Sequence, residues 1–327
     1  MKVFVSGATG FIGIQLVKRL AASGADVHAL YRSESKAGLI SLEGVRLFKG
    51  DIMDMESLTR AMKGCSQAYH VAAYAAVWSK DPGMFQRYNV EGTLRVIEAA
   101  RTAGVKRIVL TSTAGILGHS EKEAVHEASP DPSSFFTSYE ASKFDMEQEV
   151  KRLPKSNPEI IIVNPTRVYG PGYLSKSNGV SLMIKKYISG KWRFIPGDGK
   201  RSGNYVYVED VVSGHLLAME KGMPGERYVL GGEDITYMQL FDYIREASGV
   251  SLRLFKIPIQ LLFLVAGLMM AISKISGVAP LIVPSWVRKL THNWIVSSEK
   301  AIQDLGYNPL SAREGIEKTV QWVKANL

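Results

Sequence analysis

Short apolar runs alternate along the first half of the chain with longer segments whose apolar residues recur every three or four positions. The short runs predict strands at Val3–Ser6, Asp26–Tyr31, Val45–Gly50, Gln67–Val71, Arg107–Thr111 and Ile160–Asn164. The longer segments predict helices at Gly13–Ser23, Met55–Lys63, Tyr88–Thr102 and Tyr139–Arg152. Several strands are apolar throughout, as expected when both faces of a sheet are covered. The alternation therefore predicts an α/β fold built on a doubly wound parallel sheet.

The alternation stops after Gly170, where glycine and proline become frequent up to Gly203. We expect a second lobe to begin there. The chain then returns to the first domain through strands predicted at Tyr205–Val208 and Glu226–Leu230. The predicted domains are residues 1–170 joined by residues 204–231, and a smaller, mostly C-terminal α/β lobe of residues 171–203 and 232–327.

The first strand runs directly into a glycine-rich turn and then into a helix. Its glycines, Gly7, Gly10 and Gly13, have the spacing GxxGxxG. The first would permit the turn, the second would let the main chain approach phosphates, and the third would let the helix pack close to its strand. Such a turn predicts a Rossmann-type dinucleotide-binding domain over residues 1–170, because its backbone N–H groups can close on a pyrophosphate. The other predicted cofactor contacts in this turn are Thr9, Phe11 and Ile12.

The end of the second strand is where such proteins discriminate between the two nicotinamide cofactors. An acid there would accept hydrogen bonds from a ribose 2′-hydroxyl and repel a 2′-phosphate, whereas an arginine does the opposite. The chain has Arg32 at this position, which favours NADP, and Glu34 nearby, which leaves NAD open. The alternative for Arg32 is a plain surface side chain.

The third and fourth strands end in residues suited to the rest of the nucleotide. Asp51 could accept the adenine amino group and Ile52 could line the ring, although Asp51 could instead only cap the following turn. Ala72 and Ala73 are small enough to let the cofactor ribose approach.

A tyrosine and a lysine one helical turn apart are the candidate catalytic pair. Tyr139 and Lys143 have i,i+4 spacing, which places both on one face of the predicted helix. A free phenol has a pKa near 10, too high for efficient proton transfer near neutrality. A fixed ammonium group and an oxidised nicotinamide would favour the phenolate. Thr113, or alternatively Ser112, lies at the carboxyl end of the preceding strand, where a hydroxyl could hold the substrate oxygen.

With these motifs in order, the chain resembles an extended short-chain dehydrogenase/reductase over its full length. The matching segments are residues 7–13 (GATGFIG), 89–93 (NVEGT), 139–143 (YEASK), 165–172 (PTRVYGPG) and 205–211 (YVYVEDV). The resemblance implies that Tyr139, Lys143 and Thr113 form the catalytic triad, and that the loop from Pro165 to Val168 binds the nicotinamide carboxamide. Residues 294–309, with Glu314, Gly315 and Trp322, are similar to bacterial dihydroflavonol-reductase-like and 3β-hydroxysteroid-dehydrogenase-like members.

The resemblance implies an NAD(P)-dependent oxidoreductase that moves a hydride between the nicotinamide and a carbonyl or secondary alcohol of a hydrophobic small molecule. One alternative is a nucleotide-sugar epimerase or dehydratase using the same triad. Gly203 and Asn204 stand where those enzymes usually carry an arginine that grips the substrate diphosphate, which disfavours this alternative. A second alternative is a non-catalytic nucleotide sensor, although such proteins typically lose the tyrosine or the lysine. The resemblance also implies a homodimer.

Composition narrows the partners and the compartment. The chain has 327 residues, 46% of them hydrophobic, and can bury a sizeable core. The net charge of +9 is densest over residues 185–201, but no recognised nucleic-acid-binding module accompanies that run, so no nucleic-acid partner is expected. The single cysteine, Cys65, cannot form an intrachain disulfide or a cysteine zinc cluster. We expect no metal site, and a cytoplasmic location because no secretory signal opens the sequence.

The most hydrophobic segment of the chain covers residues 259–272. It is shorter than the roughly 20 apolar residues that a membrane-spanning helix needs. A buried or lid-forming helix is expected here, and peripheral contact with a membrane surface is the alternative. Pro258 before the segment and Lys274 after it suit the ends of a helix of either kind.

Overall fold

A computed structural model describes residues 1–154, 157–174 and 178–327. Seven parallel strands form its main sheet: β1 (Lys2–Ser6), β2 (Asp26–Tyr31), β3 (Val45–Lys49), β4 (Gln67–His70), β5 (Arg107–Thr111), β6 (Glu159–Pro165) and β10 (Arg227–Leu230). Their order in the sheet is β10-β6-β5-β4-β1-β2-β3. The six strands predicted from the apolar runs are confirmed, each to within one residue at either end.

Helices cover both faces of this sheet. The helices that do so are α1 (Phe11–Ala22), α3 (Met55–Met62), α5 (Gly92–Thr102), α6 (Ser138–Lys151) and α8 (Val208–Lys221), and two short helices, α2 (Glu34–Ala37) and α4 (Gly83–Gln86), lie between them in the chain. A π-helical turn over Arg87–Glu91 joins α4 to α5. One apolar core holds α1 and α8 against the sheet, and a second holds α3, α5 and α6. The predicted doubly wound α/β fold is therefore confirmed.

The strand order reverses between β1 and β4, which lie side by side in the sheet. The chain continues from β1 to β2 on one side, and from β4 to β5 on the other. In open α/β sheets, ligands bind outside the carboxyl ends of the strands at such a point. The glycine turn follows β1 and the segment Val71–Ala73 follows β4. The topology therefore places the candidate cofactor residues at the opening of this crevice.

Two small sheets lie outside the main one. The first consists of β7 (Arg167–Tyr169), β9 (Ser202–Tyr207) and β11 (Glu233–Thr236), in the order β11-β9-β7. The second pairs β8 (Phe194–Pro196) with β12 (Phe255–Ile257). Of the segment expected to return to the first domain, β10 joins the main sheet beside β6, whereas β9 belongs to the three-stranded sheet. The remaining helices are α7 (Gly179–Ile188), α9 (Tyr237–Ser248), α10 (Ile259–Ser276), α11 (Pro284–Lys289), α12 (Glu299–Leu305) and α13 (Ala312–Ala325).

The apolar segment near residue 260 forms the 18-residue helix α10, and most of it is exposed. Within α10, all of which the structure describes, only Ala266 and Ser273 are buried. The expectation of a buried helix is therefore wrong, and that of a lid-forming helix stays a prediction. Apolar composition predicted the helix, but composition cannot tell a core face from an apolar surface.

Candidate active site

The glycine turn between β1 and α1 leaves room for main chain only. Gly7 has a φ of +69°, and a Cβ there would lie 2.4 Å from the backbone nitrogen of Ala72. A Cβ on Gly13 would lie 2.1 Å from the carbonyl oxygen of Gly7. Both positions therefore require glycine, the first for its backbone conformation as well as for space.

The start of α1 fits the pyrophosphate of a dinucleotide. The N-cap residue is Gly10, which has no side chain to accept hydrogen bonds from the first amide groups of the helix. Those groups and the positive end of the helix dipole suit an anion. Around them Phe11 is buried, while Thr9 and Ile12 are half-buried. The Gln15 side chain donates a hydrogen bond to the carbonyl oxygen of Pro171 at 3.1 Å and so ties α1 to the loop after β7.

Arg32 and Asp51 lie at neighbouring strand ends beside the predicted adenosine position. The Arg32 guanidinium is 3.4 Å from Asp51 Oδ2 and 5.7 Å from the centre of the Tyr88 ring, and its side chain is 71% exposed. Asp51 Oδ1 also accepts a hydrogen bond from the backbone of Met53 at 3.0 Å, so the turn-capping contact is present. Glu34, the residue that left NAD open, pairs with Lys49 at 2.9 Å.

The other predicted nucleotide contacts lie at the same edge of the sheet. Ile52 is buried, Ala72 is half-buried and Ala73 is exposed. Pro165 ends β6 in a buried position, and Val168 lies half-buried in the middle of β7. Thr166, between them, donates a hydrogen bond to Asn204 Oδ1 at 2.8 Å. The cofactor roles of all these residues stay predictions.

The helix that carries the candidate catalytic pair begins at a capping box. The Thr137 side chain accepts a hydrogen bond from the backbone of Glu140, and the Glu140 carboxylate accepts one from the backbone of Thr137. This box fixes the first turn of α6, which contains Tyr139. Lys143 follows one turn later, is only 1% exposed, and donates a hydrogen bond from Nζ to the carbonyl oxygen of Thr111 at 2.7 Å.

The candidate hydroxyl residues follow directly after Thr111. Thr113 is half-buried, caps a short 3₁₀ turn, and accepts a hydrogen bond from the backbone of Gly115 at 3.2 Å. Its carbonyl oxygen accepts one from the side chain of Asn164 at 3.2 Å. Ser112, the alternative, is buried, and among the described residues its hydroxyl has no hydrogen-bond partner. The structure thus brings the ends of β5 and α6 together through Lys143.

Burial acts on both members of the pair. It lowers the pKa of Lys143 to about 8, although the Glu147 carboxylate acts in the opposite direction. Burial raises the pKa of Tyr139, and the Glu140 carboxylate adds to that effect. The phenol of the free protein is therefore protonated near neutrality. A cation arriving beside it would favour its ionised form.

Asn89 holds the loop after β4 against α6. Its Oδ1 accepts a hydrogen bond from the backbone of Tyr74 at 2.7 Å, and its Nδ2 donates to Ser142 Oγ at 2.9 Å. Asn89 is fully buried. The motif over residues 89–93 indicated the family but no role for Asn89, because the contacts join positions far apart in the chain.

Two cations lie close to the start of α6. The Lys289 ammonium group forms an ion pair with Glu140, which is 2% exposed, and lies 4.4 Å from the centre of the Trp294 ring. Burial lowers the pKa of Lys289, Glu140 acts in the opposite direction, and the nearby Arg167 guanidinium lowers it further. Two positive groups and one carboxylate therefore occupy this region.

Arg167 has aromatic partners instead of an acid. It donates a hydrogen bond to Tyr205 OH at 3.1 Å, and its guanidinium carbon lies 5.4 Å from the centre of the Tyr205 ring and 5.9 Å from that of Tyr237. Within the described ranges, no carboxylate lies within ion-pair distance of it. The guanidinium also fills the space above Gly203, where a Cβ would lie 2.2 Å from Nη1.

Aromatic rings surround this cationic region. His119 contacts the rings of Phe136, His292 and Trp294, with centroids 5.6, 4.2 and 6.3 Å away. A cavity of about 360 Å³ opens here and is lined in part by His119, His292 and Arg201. In the part of the chain that the structure describes, no three His, Cys, Asp or Glu side chains are placed to hold a metal.

The fold is that of the extended short-chain dehydrogenases/reductases. The model of the NAD dependent epimerase/dehydratase family matches residues 3–231. The chain belongs to this family, whose members use NAD(H). Within the family it is an oxidoreductase.

Relatives match the chain over nearly its whole length. It is 29% identical to a putative dihydroflavonol 4-reductase of Synechocystis sp., covering 98% of this chain and 93% of the relative. It is 28% identical to sterol-4-alpha-carboxylate 3-dehydrogenase, decarboxylating, of Mus musculus, covering 98% and 90%. Among solved structures, the complex of UDP-glucose 4-epimerase of Thermus thermophilus with NAD is 25% identical, with a TM-score of 0.80 and full coverage of both chains.

Proposed function

We propose that this chain is an NADP(H)-dependent oxidoreductase that interconverts a ketone and a secondary alcohol on a hydrophobic small molecule. The observation that carries the proposal is the junction of α6 with β5, where Lys143 bonds to the end of the strand that leads to Thr113. Two of the relatives are named for alcohol–ketone chemistry, a 4-reductase and a 3-dehydrogenase.

The chemistry requires one hydride and one proton. A nicotinamide bound beside these residues would supply hydride exchange with a carbinol or carbonyl carbon. Tyr139 takes the hydroxyl proton in oxidation and returns it in reduction, so that charge and atoms balance. Lys143 favours the phenolate and Thr113 holds the substrate oxygen. Positioned general acid–base catalysis of this kind contributes about 10²- to 10⁴-fold to rate.

Preference for NADP is argued from the end of β2. Arg32 is exposed and carries the positive charge that a 2′-phosphate needs, while Glu34 is paired with Lys49. Arginine binds phosphate through two parallel hydrogen bonds, which a ribose hydroxyl cannot match.

We further propose that the substrate carries an acidic group near its reacting carbon. Arg167 is a half-buried guanidinium without a carboxylate partner among the described residues, and it lies close to the Lys289–Glu140 pair beside Tyr139. A substrate carboxylate would give it the bidentate partner that guanidinium groups favour. The mouse relative is named for a sterol 4α-carboxylate, which combines an apolar body with such a group.

A substrate screen following NADPH absorbance tests this function. The screen compares hydrophobic β-keto acids, their neutral esters, sterols, flavanonols and UDP-sugars on the wild type, Tyr139→Phe and Arg167→Met. Loss of turnover in Tyr139→Phe with nucleotide affinity retained, and loss of the preference for acids over esters in Arg167→Met, are expected. Turnover of UDP-sugars with tightly retained NAD and no net redox change would instead identify an epimerase. Nucleotide binding without turnover of any substrate would identify a sensor.

A further inference from the structure

The outer face of α10 is a continuous apolar stripe. Its exposed side chains recur at intervals of three and four residues, which places them on one side of the helix. They are Leu261, Leu264, Val265, Leu268, Ile272 and Ile275. Leu264 is 70% exposed, Leu268 63% and Ile275 90%. The opposite side holds Ala266 and Ser273, the two buried residues, so α10 packs on the protein with one side and presents the apolar stripe on the other.

Further apolar side chains extend the stripe at both ends of the helix. Phe255 and Phe194 are paired across β12 and β8, and they are 48% and 49% exposed. This sheet adjoins the start of α10, since a Cβ on Gly197 would lie 3.3 Å from Ile259. After the helix, Leu281 is 88% exposed and Trp286 on α11 is 40% exposed. A contiguous exposed apolar surface of this kind marks a binding face on a soluble domain.

The chain segment that carries this surface is positively charged. Between Glu246 and Glu299 the chain has no Asp or Glu, and it carries five cationic residues. Four of them, Arg253, Lys256, Lys274 and Arg288, are exposed. A second copy of the chain would bring like charges together at such a contact, whereas an anionic lipid surface would attract them.

We infer that α10 docks this protein on an anionic lipid bilayer, lying in the plane of the interface with its apolar stripe in the acyl-chain boundary. Exposed aromatic and aliphatic side chains with cations at the edges are the features of such interfacial helices. Among the described residues, α10 is the one helix long and apolar enough to cross a membrane. The in-plane orientation is favoured because the helix keeps one side packed on the protein, through Ala266 and Ser273.

The docked face lies next to the candidate active site. The helix that follows α10 in the chain is α11, whose Lys289 pairs with Glu140 beside Tyr139. At the end of α10, Gly277 is close to Lys80 in the loop after β4, because a Cβ there would lie 3.8 Å from Lys80 Nζ. A bilayer at this face would therefore border the lobe that receives the substrate. The inference itself does not depend on the proposed reaction.

Vesicle flotation of the full chain tests the inference. The wild type is mixed with vesicles of phosphatidylcholine alone or with phosphatidylglycerol added, and compared with the double variant Leu264→Glu/Leu268→Glu. The double variant Met223→Glu/Ile302→Glu is the matched control, since those side chains are also exposed and the change in charge is equal. We expect the wild type and the control to float with the anionic vesicles, and the α10 variant to bind at least about tenfold more weakly. Circular dichroism melting checks that every variant is folded.

Further measurements distinguish docking on anionic lipid from a dimer contact and from a membrane-spanning helix. Lys256→Gln and Lys274→Gln should each weaken binding to anionic vesicles by about fivefold, the effect of one interfacial cation. Equal binding to neutral and anionic vesicles, or none to either, would overturn the inference. So would a lipid-free dimer that the α10 variant dissociates, because the occupant would then be a second copy. Retention in the bilayer after alkaline carbonate washing would indicate a spanning helix and reject the in-plane orientation.

Discussion

Lys143 Nζ lies 2.7 Å from the carbonyl oxygen of Thr111, so a buried cation on α6 is bonded to the strand that leads to the candidate hydroxyl. The contact fixes the position of the ammonium group before any ligand arrives. It also leaves a charge in a buried place, which has a measurable consequence for stability.

The unfolding free energy should depend on pH through Lys143. Burial lowers its pKa to about 8 in the folded protein, against an ordinary value of 10.5. The cost of the buried charge is fully present below pH 8 and is relieved as the pH rises from there to about 10.5. Urea unfolding should show the wild type gaining stability relative to Lys143→Met over this interval. If the unfolding free energies of the two proteins change in parallel with pH over this interval, the lowered pKa of Lys143 is contradicted.

Two buried histidines should make the protein acid-sensitive. Burial lowers the pKa of His70 to about 3, with Lys143 adding to the effect, and that of His215 to about 4. Because the unfolded chain binds protons at these sites below about pH 6.5 and the folded one does not, stability falls as the pH drops below that value. Near pH 5 the two sites together give a slope of roughly 2–3 kcal/mol per pH unit.

His215→Gln measures one of these two contributions. His215 bonds to Thr111 Oγ1 at 2.9 Å, and the replacement should remove about half of the slope between pH 6 and pH 5. His126→Gln, at an exposed histidine, serves as the control and should leave the slope unchanged. An unaltered slope in His215→Gln would show that this site titrates normally.

Arg32→Asp should shift the cofactor preference toward NAD. The new carboxylate would repel a 2′-phosphate and accept hydrogen bonds from the ribose hydroxyls. We expect the ratio of Kd values for NADPH and NADH to change by at least about tenfold, since charge-assisted hydrogen bonds contribute about 1.5–3 kcal/mol. Tryptophan fluorescence titration gives both constants. Arg46→Asp, at another partly exposed arginine, is the matched control.

Asn89 should act on catalysis through the helix that it holds. Asn89→Leu leaves the backbone N–H of Tyr74 without its acceptor and removes the hydrogen bond that Ser142 Oγ accepts, at a cost of about 1–3 kcal/mol of unfolding free energy. We expect kcat to fall with an unchanged pH profile, because the ionising groups remain. A double-mutant cycle with Ser142→Ala measures the coupling, and strictly additive effects would show that the 2.9 Å contact contributes nothing.

The features that could be predicted from the sequence are those that depend on residues close together in the chain. Apolar periodicity predicted the main sheet and its helices, and glycine spacing predicted the turn, because each signal lies within about a dozen residues. The ion pair of Lys289 with Glu140 joins positions 149 residues apart, and no local pattern signals it. The same holds for Asn89, whose partners come from two other elements.

Arg167 shows a different limit. Gly203 and Asn204 stand where an arginine is usual in the related sugar-nucleotide enzymes, and no sequence pattern indicates which side chain fills the space above them. In the fold, β7 and β9 are paired with Arg167 opposite Tyr205, so the guanidinium reaches the region above Gly203 from the neighbouring strand. For α10 the sequence predicted the helix correctly, but it did not predict that most of the helix is exposed.

The Arg167 guanidinium lies above Gly203, so the residue at position 203 limits which side chain position 167 can carry. Even an alanine at 203 would place its methyl group 2.2 Å from Nη1 of Arg167, so the arginine would have to leave its contact with the Tyr205 ring. Homologues that keep an arginine at position 167 should therefore keep glycine at position 203. Homologues with a larger residue at position 203 should have replaced the arginine at position 167. Such paired replacement would trace, across a set of natural sequences, where the positive charge of this cleft has been moved or given up.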